Sequence, residues 1–336
     1  MIKTHMTNKT NNSLRPIRSD DLPELVAVVN RRIHASGLRV NMQADELGED
    51  LESSRTRMEH DTRVAIDDSG RIVGYAWTLN LPSDSSDERC YVEGGVDPEH
   101  RGRGVGRSLM EWSVEHAHEL LAASPNDRAK YVRIHHGVDD ESTRRLSARF
   151  GFAPIRWFED LVRPLADVPD PIDVPGVRIE PWPAADPLLD EIRSAKNTSF
   201  LDHWGSAPMT AEGWREHILG YGSRLDLSFV ARDTTTGRVV AHLFSTRYPA
   251  DDEIVGRRQA WVDNLGTLRE WRGRGVASAL IGAALRAYRD DGLSHAMIGV
   301  DADSPTGASR LYRSLGFELE ARFVDAQIDH SARLPS

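Results

Sequence analysis

The chain holds one cysteine, Cys90, and four lysines. A single thiol excludes an intramolecular disulfide and any cysteine-rich metal site, and it makes the cytoplasm the expected compartment. No apolar run approaches the roughly 18 residues that a membrane span needs, so no membrane partner is expected. The opening stretch MIKTHMTNKTNNSLRP has no apolar segment of the kind a secretory signal carries; residues 1–13 read as a disordered leader. Positive charge is also short: 42 Lys and Arg face 52 Asp and Glu, a formal charge of −10. Nucleic-acid binders draw most of their affinity from phosphate neutralisation, so a nucleic acid is not an expected partner. The thirteen histidines show no ligand spacing. His116 and His118 diverge on a helix, His135 and His136 point apart on a strand, and no metal is expected.

What the chain does have is length and repetition. Its 336 residues, 39% hydrophobic, with a mean hydropathy of −0.48, suit two globular domains. The stretch RPLADVPDPIDVPGVRIE, 163–180, carries four prolines between apolar segments. Proline lacks the donor that a helix or sheet interior uses. It divides the chain into a domain over 14–164, a linker over 165–176 and a second domain over 177–330.

The two parts match in order. Each opens with an extended piece and a helix-like segment, then a hairpin with a glycine turn (RVAIDDSGRIVGYAWTL; LSFVARDTTTGRVVAHLFST). Each continues with a strand into an arginine–glycine loop, an amphipathic helix, another strand and a helix ending in Gly-Phe. A final strand closes each half (APIRWFEDLVR; LEARFVDAQID). The loops lie 171 positions apart, VDPEHRGRGVGRS and TLREWRGRGVASA, and the Gly-Phe follows the loop arginine by 50 residues in one half and 44 in the other. This is a duplicated α+β domain.

A strand that turns through glycines into a helix leaves backbone N–H groups at the helix start, and these favour an anion. Glycine keeps Cβ atoms out of the way of a phosphate. Arg101, Gly102, Arg103, Gly104, Val105, Gly106 and Arg107 are the first candidate set; Arg272, Gly273, Arg274, Gly275, Val276, Ala277 and Ser278 are the second. Val105, Leu109 and Trp112, and Val276, Leu280, Ala283 and Ala287, supply the apolar helix faces. Neither loop has the lysine of a Walker motif, and neither has the spacing of a dinucleotide fingerprint. With 38 arginines in the chain, a surface turn decorated with arginine explains one such loop, but not two in the same context.

The pattern Arg-x-x-Gly-x-Gly/Ala, met by Arg101, Gly104 and Gly106 and by Arg272, Gly275 and Ala277, resembles the acyl-CoA pyrophosphate loop of the GNAT acetyltransferase superfamily. VDPEHRGRGVG and LYRSLGF add to the resemblance, which covers both halves. It implies two tandem GNAT-like α+β domains, each a mixed, mostly antiparallel twisted sheet flanked by helices. It also implies acetyl-CoA, or another short acyl-CoA, as cofactor and acetyl transfer to a primary amine of a small molecule. The oxyanion donor would be a backbone N–H at the strand end, near Gly95–Val96 and Gly266–Thr267. A tyrosine acid is implied at Tyr312, where the first half has Ser147. Ser304 stands where the family often has asparagine.

Acyl transfer also needs a neutral amine, hence a base. The resemblance places it on the strand before the loop: Glu93 in the first half, and Asn264 with Asp263 beside it in the second. Adjacent strand residues face opposite ways, so Asp263 reaches the cleft only if the strand bulges there. The first half has the better base position and the second the better acid, which favours the second as catalytic. Acceptor recognition is implied for the first helices and their loops, including KNTSFLDHWGSAPMTAEGWREH with Asp202, His203, Trp204 and Trp214. The layout resembles that of mycothiol-synthase-like tandem proteins. The alternatives are an acyl-CoA-binding sensor or scaffold and a protein N-acetyltransferase; a monomer or homodimer is expected.

Overall fold

The computed structural model describes residues 13–53, 55–81, 87–304 and 306–331; the leader reading therefore falls almost wholly outside the described residues. The first elements are β1 (Ser13–Arg15), α1 (Leu22–Ala35), α2 (Ala44–Glu52), α3 (Met58–Asp61), β2 (Thr62–Ile66), β3 (Ile72–Leu81) and β4 (Glu88–Val96). Then come α4 (Val105–Ala123), β5 (Lys130–Gly137), α5 (Glu141–Arg149) and β6 (Ala153–Pro164). The remainder comprises β7 (Val177–Pro181), α6 (Asp190–Ser199), α7 (Ala211–Leu219), β8 (Phe229–Asp233), β9 (Val239–Thr246), α8 (Asp252–Val255) and β10 (Gln259–Thr267). It ends with α9 (Val276–Asp290), β11 (His295–Asp301), α10 (Ala308–Ser314) and β12 (Glu318–Asp329).

Two compact units result, one of residues 1–155 with 324–336 and one of residues 156–323. In the first unit the strand order is β1-β2-β3-β4-β5, with the end of β12 beside β5; in the second it is β7-β8-β9-β10-β11-β6. Thus the strand that follows each Gly-Phe does not close its own half. β6 pairs antiparallel with β11, Phe158 opposite Asp301 through Pro164 opposite His295. The last residues of β12 carry Asp325, which accepts from the Tyr91 hydroxyl at 3.1 Å, and Gln327, which accepts from Arg133 Nε at 2.9 Å. Both strands have the same alternating pattern, and a pattern of period 2 fixes which face is buried but not which neighbour is chosen.

The repeat is written into side-chain contacts as well. Glu24 Oε1 accepts from the Ile72 N–H at 2.9 Å, and Glu191 Oε1 from Val239 N–H at 2.9 Å. Asn30 exchanges two hydrogen bonds with the Met42 backbone, at 3.0 and 2.8 Å, and Asn197 does the same with Met209 at 3.0 and 2.8 Å. These pairs fix α6 as the copy of α1, residue by residue. In the first unit α1 starts at a Pro in its first turn and buries Leu25, Val28, Val29 and Ile33 at helical spacing on β2 and β3. On another cluster α4 packs Val114, Ala117 and Leu121 around Cys90, Val132, Ala326 and Ile328. The second unit has one continuous core, to which α9 adds Val276, Leu280, Ile281, Leu285 and Tyr288. Leu165 and Val174, from the proline-rich segment, are buried in it.

Candidate active site

The parallel pairing of β4 with β5 ends at Tyr91 opposite Arg133, although β4 continues to Val96 and β5 to Gly137. The pairing of β10 with β11 ends likewise at Val262 opposite Ile298, while β10 runs on to Thr267. Beyond those points the two strands of each pair part, and the edge of the first strand is left without its parallel partner. Backbone N–H groups on such an edge are donors in need of an acceptor.

Each parting strand leads into a short 3₁₀ turn and the glycine loop. Gly102 and Gly104 have φ of 77° and 89°, and Gly273 and Gly275 have 72° and 86°. A side chain is strained at such angles, which accounts for glycine there. A Cβ added at Gly102, Gly104 or Gly273 would meet nothing within 4 Å, and at Gly275 only Val174 at 3.9 Å. Gly104 and Gly275 are the N-caps of α4 and α9, and no side chain caps either helix. An uncapped first turn facing open space fits a pyrophosphate, so the residues present suit a CoA.

The individual residues divide by role. Val105 and Val276 turn their side chains into the cores. Gly106 lies where a Cβ would press on Val96 and Leu146 at 3.3 and 3.4 Å, a packing reason for glycine. Arg107 pairs with Glu111 on the surface at 2.9 Å. Arg272 turns back from the loop: it donates to the Thr267 and Ser199 carbonyls at 3.1 and 2.8 Å and pairs with Asp202 at 2.9 Å. Arg274 stacks over Trp271, 4.9 Å from the ring centre. Gly266 cannot carry a side chain, because a Cβ there would strike the Ser199 hydroxyl, His242 and Phe200. At Gly95 the corresponding neighbours are Arg32 and the Tyr75 hydroxyl.

The two clefts differ in their chemistry. In the second unit the β9–β10 register slips between Val262 and Asn264, so Asp263 is the extra residue of a β-bulge. Asp263 lies 3.4 Å from His217 Nε2 on α7, and Asn264 Oδ1 is 2.7 Å from His242 Nε2 on β9. Asp263 keeps 32% of its side chain open to solvent; partial desolvation by the surrounding protein pushes its carboxyl above the ordinary 3.8, and His217 opposes the shift. Burial lowers His242 to about 4, which keeps it neutral. Tyr312, on α10 beside β11, is 8% exposed, its hydroxyl pushed up to about 12 by burial alone. That hydroxyl has no hydrogen-bond partner among the described residues.

In the first unit β3 and β4 keep one register from Leu81–Arg89 to Gly74–Val96, with no bulge. Glu93 sits opposite Trp77; burial raises its pKa, against the pull of His135 and Arg32. Ser147 is 3% exposed and its hydroxyl donates to the Arg144 carbonyl of its own helix at 3.1 Å. Cys90 is fully buried, and burial pushes its thiol up to about 12, which removes it as a nucleophile.

The structure therefore adds His217, His242 and Lys196 to the second cleft, beside the Asn264 and Asp263 that the sequence placed there. Lys196 and His217 are the first and last residues of the segment that the sequence assigns to acceptor recognition. Within that segment Trp214 is core, 2% exposed, and Trp204 stacks under Arg156 at 5.5 Å.

Splayed parallel strands, each feeding an uncapped helix through a two-glycine turn, define an acyl-CoA-dependent acyltransferase fold present twice. The profile of the acetyltransferase (GNAT) family matches residues 33–152 and again 189–317, and the chain belongs to that family. It is 28% identical over 329 residues to a mycothiol acetyltransferase of Kytococcus sedentarius, covering 96% of this chain and 97% of that protein. With a mycothiol acetyltransferase of Saccharomonospora viridis it shares 31% over 255 residues, 74% of this chain and 77% of the relative. Among solved structures, a GCN5-related N-acetyltransferase from Sphaerobacter thermophilus superposes with a TM-score of 0.75 at 24% identity, over 96% of this chain and 97% of the other. A tandem GNAT protein of the clavulanic acid biosynthesis pathway gives 0.70 at 17%, over 96% and 100%. The chain is an N-acetyltransferase that draws its acyl group from an acyl-CoA. No helix among the described residues is long and apolar enough to cross a membrane.

Proposed function

We propose that the second unit acetylates the primary amine of a small molecule, with acetyl-CoA as donor, by direct attack of the amine on the thioester. The observation that carries this reading is the presence in one unit of a bulged Asp263 and a buried Tyr312 whose hydroxyl has no partner among the described residues, a combination the first unit lacks. Bound acetyl-CoA supplies an activated carbonyl and a thiolate leaving group. Gly273, Gly275 and the first turn of α9 hold its pyrophosphate. Asp263, oriented by His217, takes the proton of the incoming ammonium. The backbone N–H of Thr267, which faces the open edge of β10 because the Leu268 N–H is bonded to β9, donates to the oxyanion, and Tyr312 keeps its proton at neutral pH and offers it to the departing sulfur. The relatives' name, mycothiol acetyltransferase, favours a small thiol-bearing amine over a protein as acceptor.

The test combines calorimetry with a thiol-release assay on wild type, Gly104→Glu, Gly275→Glu and Tyr312→Phe. Acetyl-CoA should fill two sites in wild type and one in each glycine variant. Amine-dependent release should survive Gly104→Glu and vanish in Gly275→Glu. In Tyr312→Phe it should fall about 10²- to 10⁴-fold with acetyl-CoA binding retained. Activity that follows Gly104 instead would assign the chemistry to the first unit. Binding with no transfer to any amine would leave an acyl-CoA sensor.

A further inference from the structure

Lys196 is a side chain of the second cleft that the mechanism leaves unused. It lies on α6, 5% exposed, and no carboxylate among the described residues comes within ion-pair distance of it. Its Nζ lies over the Phe200 ring, 5.3 Å from the centroid. That ring is one of the groups that a Cβ on Gly266 would strike, at 3.1 Å, and it faces His242 at 6.4 Å. The lysine thus stands beside the strand end that presents the oxyanion donors. The carboxylate of the cleft, Asp263, is engaged by His217 at 3.4 Å.

The fold does not require a cation here. Asn30 and Asn197 make the same two bonds to Met42 and Met209, so the residues just before them, Val29 and Lys196, occupy equivalent places. Val29 is an ordinary core residue, 2% exposed. Burying an ammonium without a counter-ion costs several kcal/mol, and burial accordingly lowers the Lys196 pKa. A lysine kept at a position where its duplicate holds valine is therefore a cost to folding, and the natural compensation is an anion that arrives with a ligand.

We infer that Lys196 receives a negatively charged group, thiolate or carboxylate, carried beside the amine of the acceptor, and that it sets the preference of the second cleft for such amines. This rests on the second unit being the one that acetylates an amine. A molecule of net charge −10 repels anions at long range, so the attraction invoked here is the local one of Lys196.

The probes are L-cysteinamide, with a thiol and no carboxylate; L-alanine, with a carboxylate and no thiol; and L-alaninamide, with neither. N-acetylated product is quantified by mass spectrometry for wild type, Lys196→Met and Lys196→Val, the last reproducing the residue of the first unit. In wild type one anion-bearing probe should exceed alaninamide in kcat/KM, and in both variants that ratio should fall about 10- to 100-fold. Preference for cysteinamide identifies a thiolate, and preference for alanine a carboxylate. A ratio unchanged in the variants overturns the inference, as does an equal loss for all three probes. If wild type acetylates none of them, the functional reading is in question and melting in the presence of acetyl-CoA decides the inference separately. Cysteinamide or alanine should stabilise wild type and not the variants; equal shifts would overturn the inference.

Discussion

Asp263 is held in a condition that costs the fold something. Its folded pKa is raised by burial, so the folded chain binds this proton more tightly than the unfolded one. The stability it contributes is complete at acid pH and is lost as pH rises through the raised value. At neutral pH the ionised carboxylate is therefore a net burden, and the same ionisation is what a base needs. Wild-type kcat/KM should rise with pH as the Asp263–His217 pair loses its proton, and Asp263→Asn should lower kcat/KM about 100-fold and abolish that rise. Its melting temperature at pH 7 should equal or exceed that of wild type, and the advantage should shrink toward pH 4. Calorimetry across that range, beside a pH–rate profile, measures both. A variant that melts well below wild type at neutral pH would mean that the His217 contact stabilises more than desolvation costs.

At the scale of elements, the loop and helices were legible because glycine and period carry them. Positive φ at Gly104 and Gly275 demands glycine, and α4 and α9 begin one residue later, at Val105 and Val276, where the apolar spacing begins. The bulge at Asp263 was legible only as a condition, since nothing in VDNLG distinguishes a bulged strand from a regular one. The protein contacts of Arg272 were not legible for a similar reason. Motif position suggests a phosphate, whereas the Ser199 and Thr267 carbonyls and Asp202 take its guanidinium. Because these bonds tie the end of α6 to the strand end, Arg272→Ala should disturb the acceptor side of the cleft more than the cofactor side. The KM for the amine should rise about 10-fold or more, with the acetyl-CoA Kd within a few-fold of wild type. The reverse pattern, a weakened Kd with steep salt dependence, would restore the phosphate role.

At the scale of the molecule, the destination of β6 and β12 was beyond sequence reasoning. Two closing strands of like pattern, one after each Gly-Phe, are most simply assigned each to its own half, and alternation cannot object. What decides is long-range partnership. Residues 324–329 bring to the first unit Asp325 for Tyr91 and His135, at 3.1 and 2.7 Å, and Gln327 for Arg133 at 2.9 Å. They also bring Ala326 and Ile328 to the core around Cys90, and His330 donates its N–H to the Lys130 carbonyl at 2.9 Å. The first unit is thus completed by the last residues of the chain, whereas the second is continuous from 156 to 323. A chain ending at Phe323 should therefore lose the first unit selectively. In scanning calorimetry a low-temperature transition should separate from the main one, and amide exchange should accelerate in β5 and α4. Amine acetylation by the second unit should persist above the lower transition. A peptide of residues 318–336 added in trans should move the lower transition upward. A single unshifted transition in the truncated chain would show instead that the first unit holds without its sixth strand.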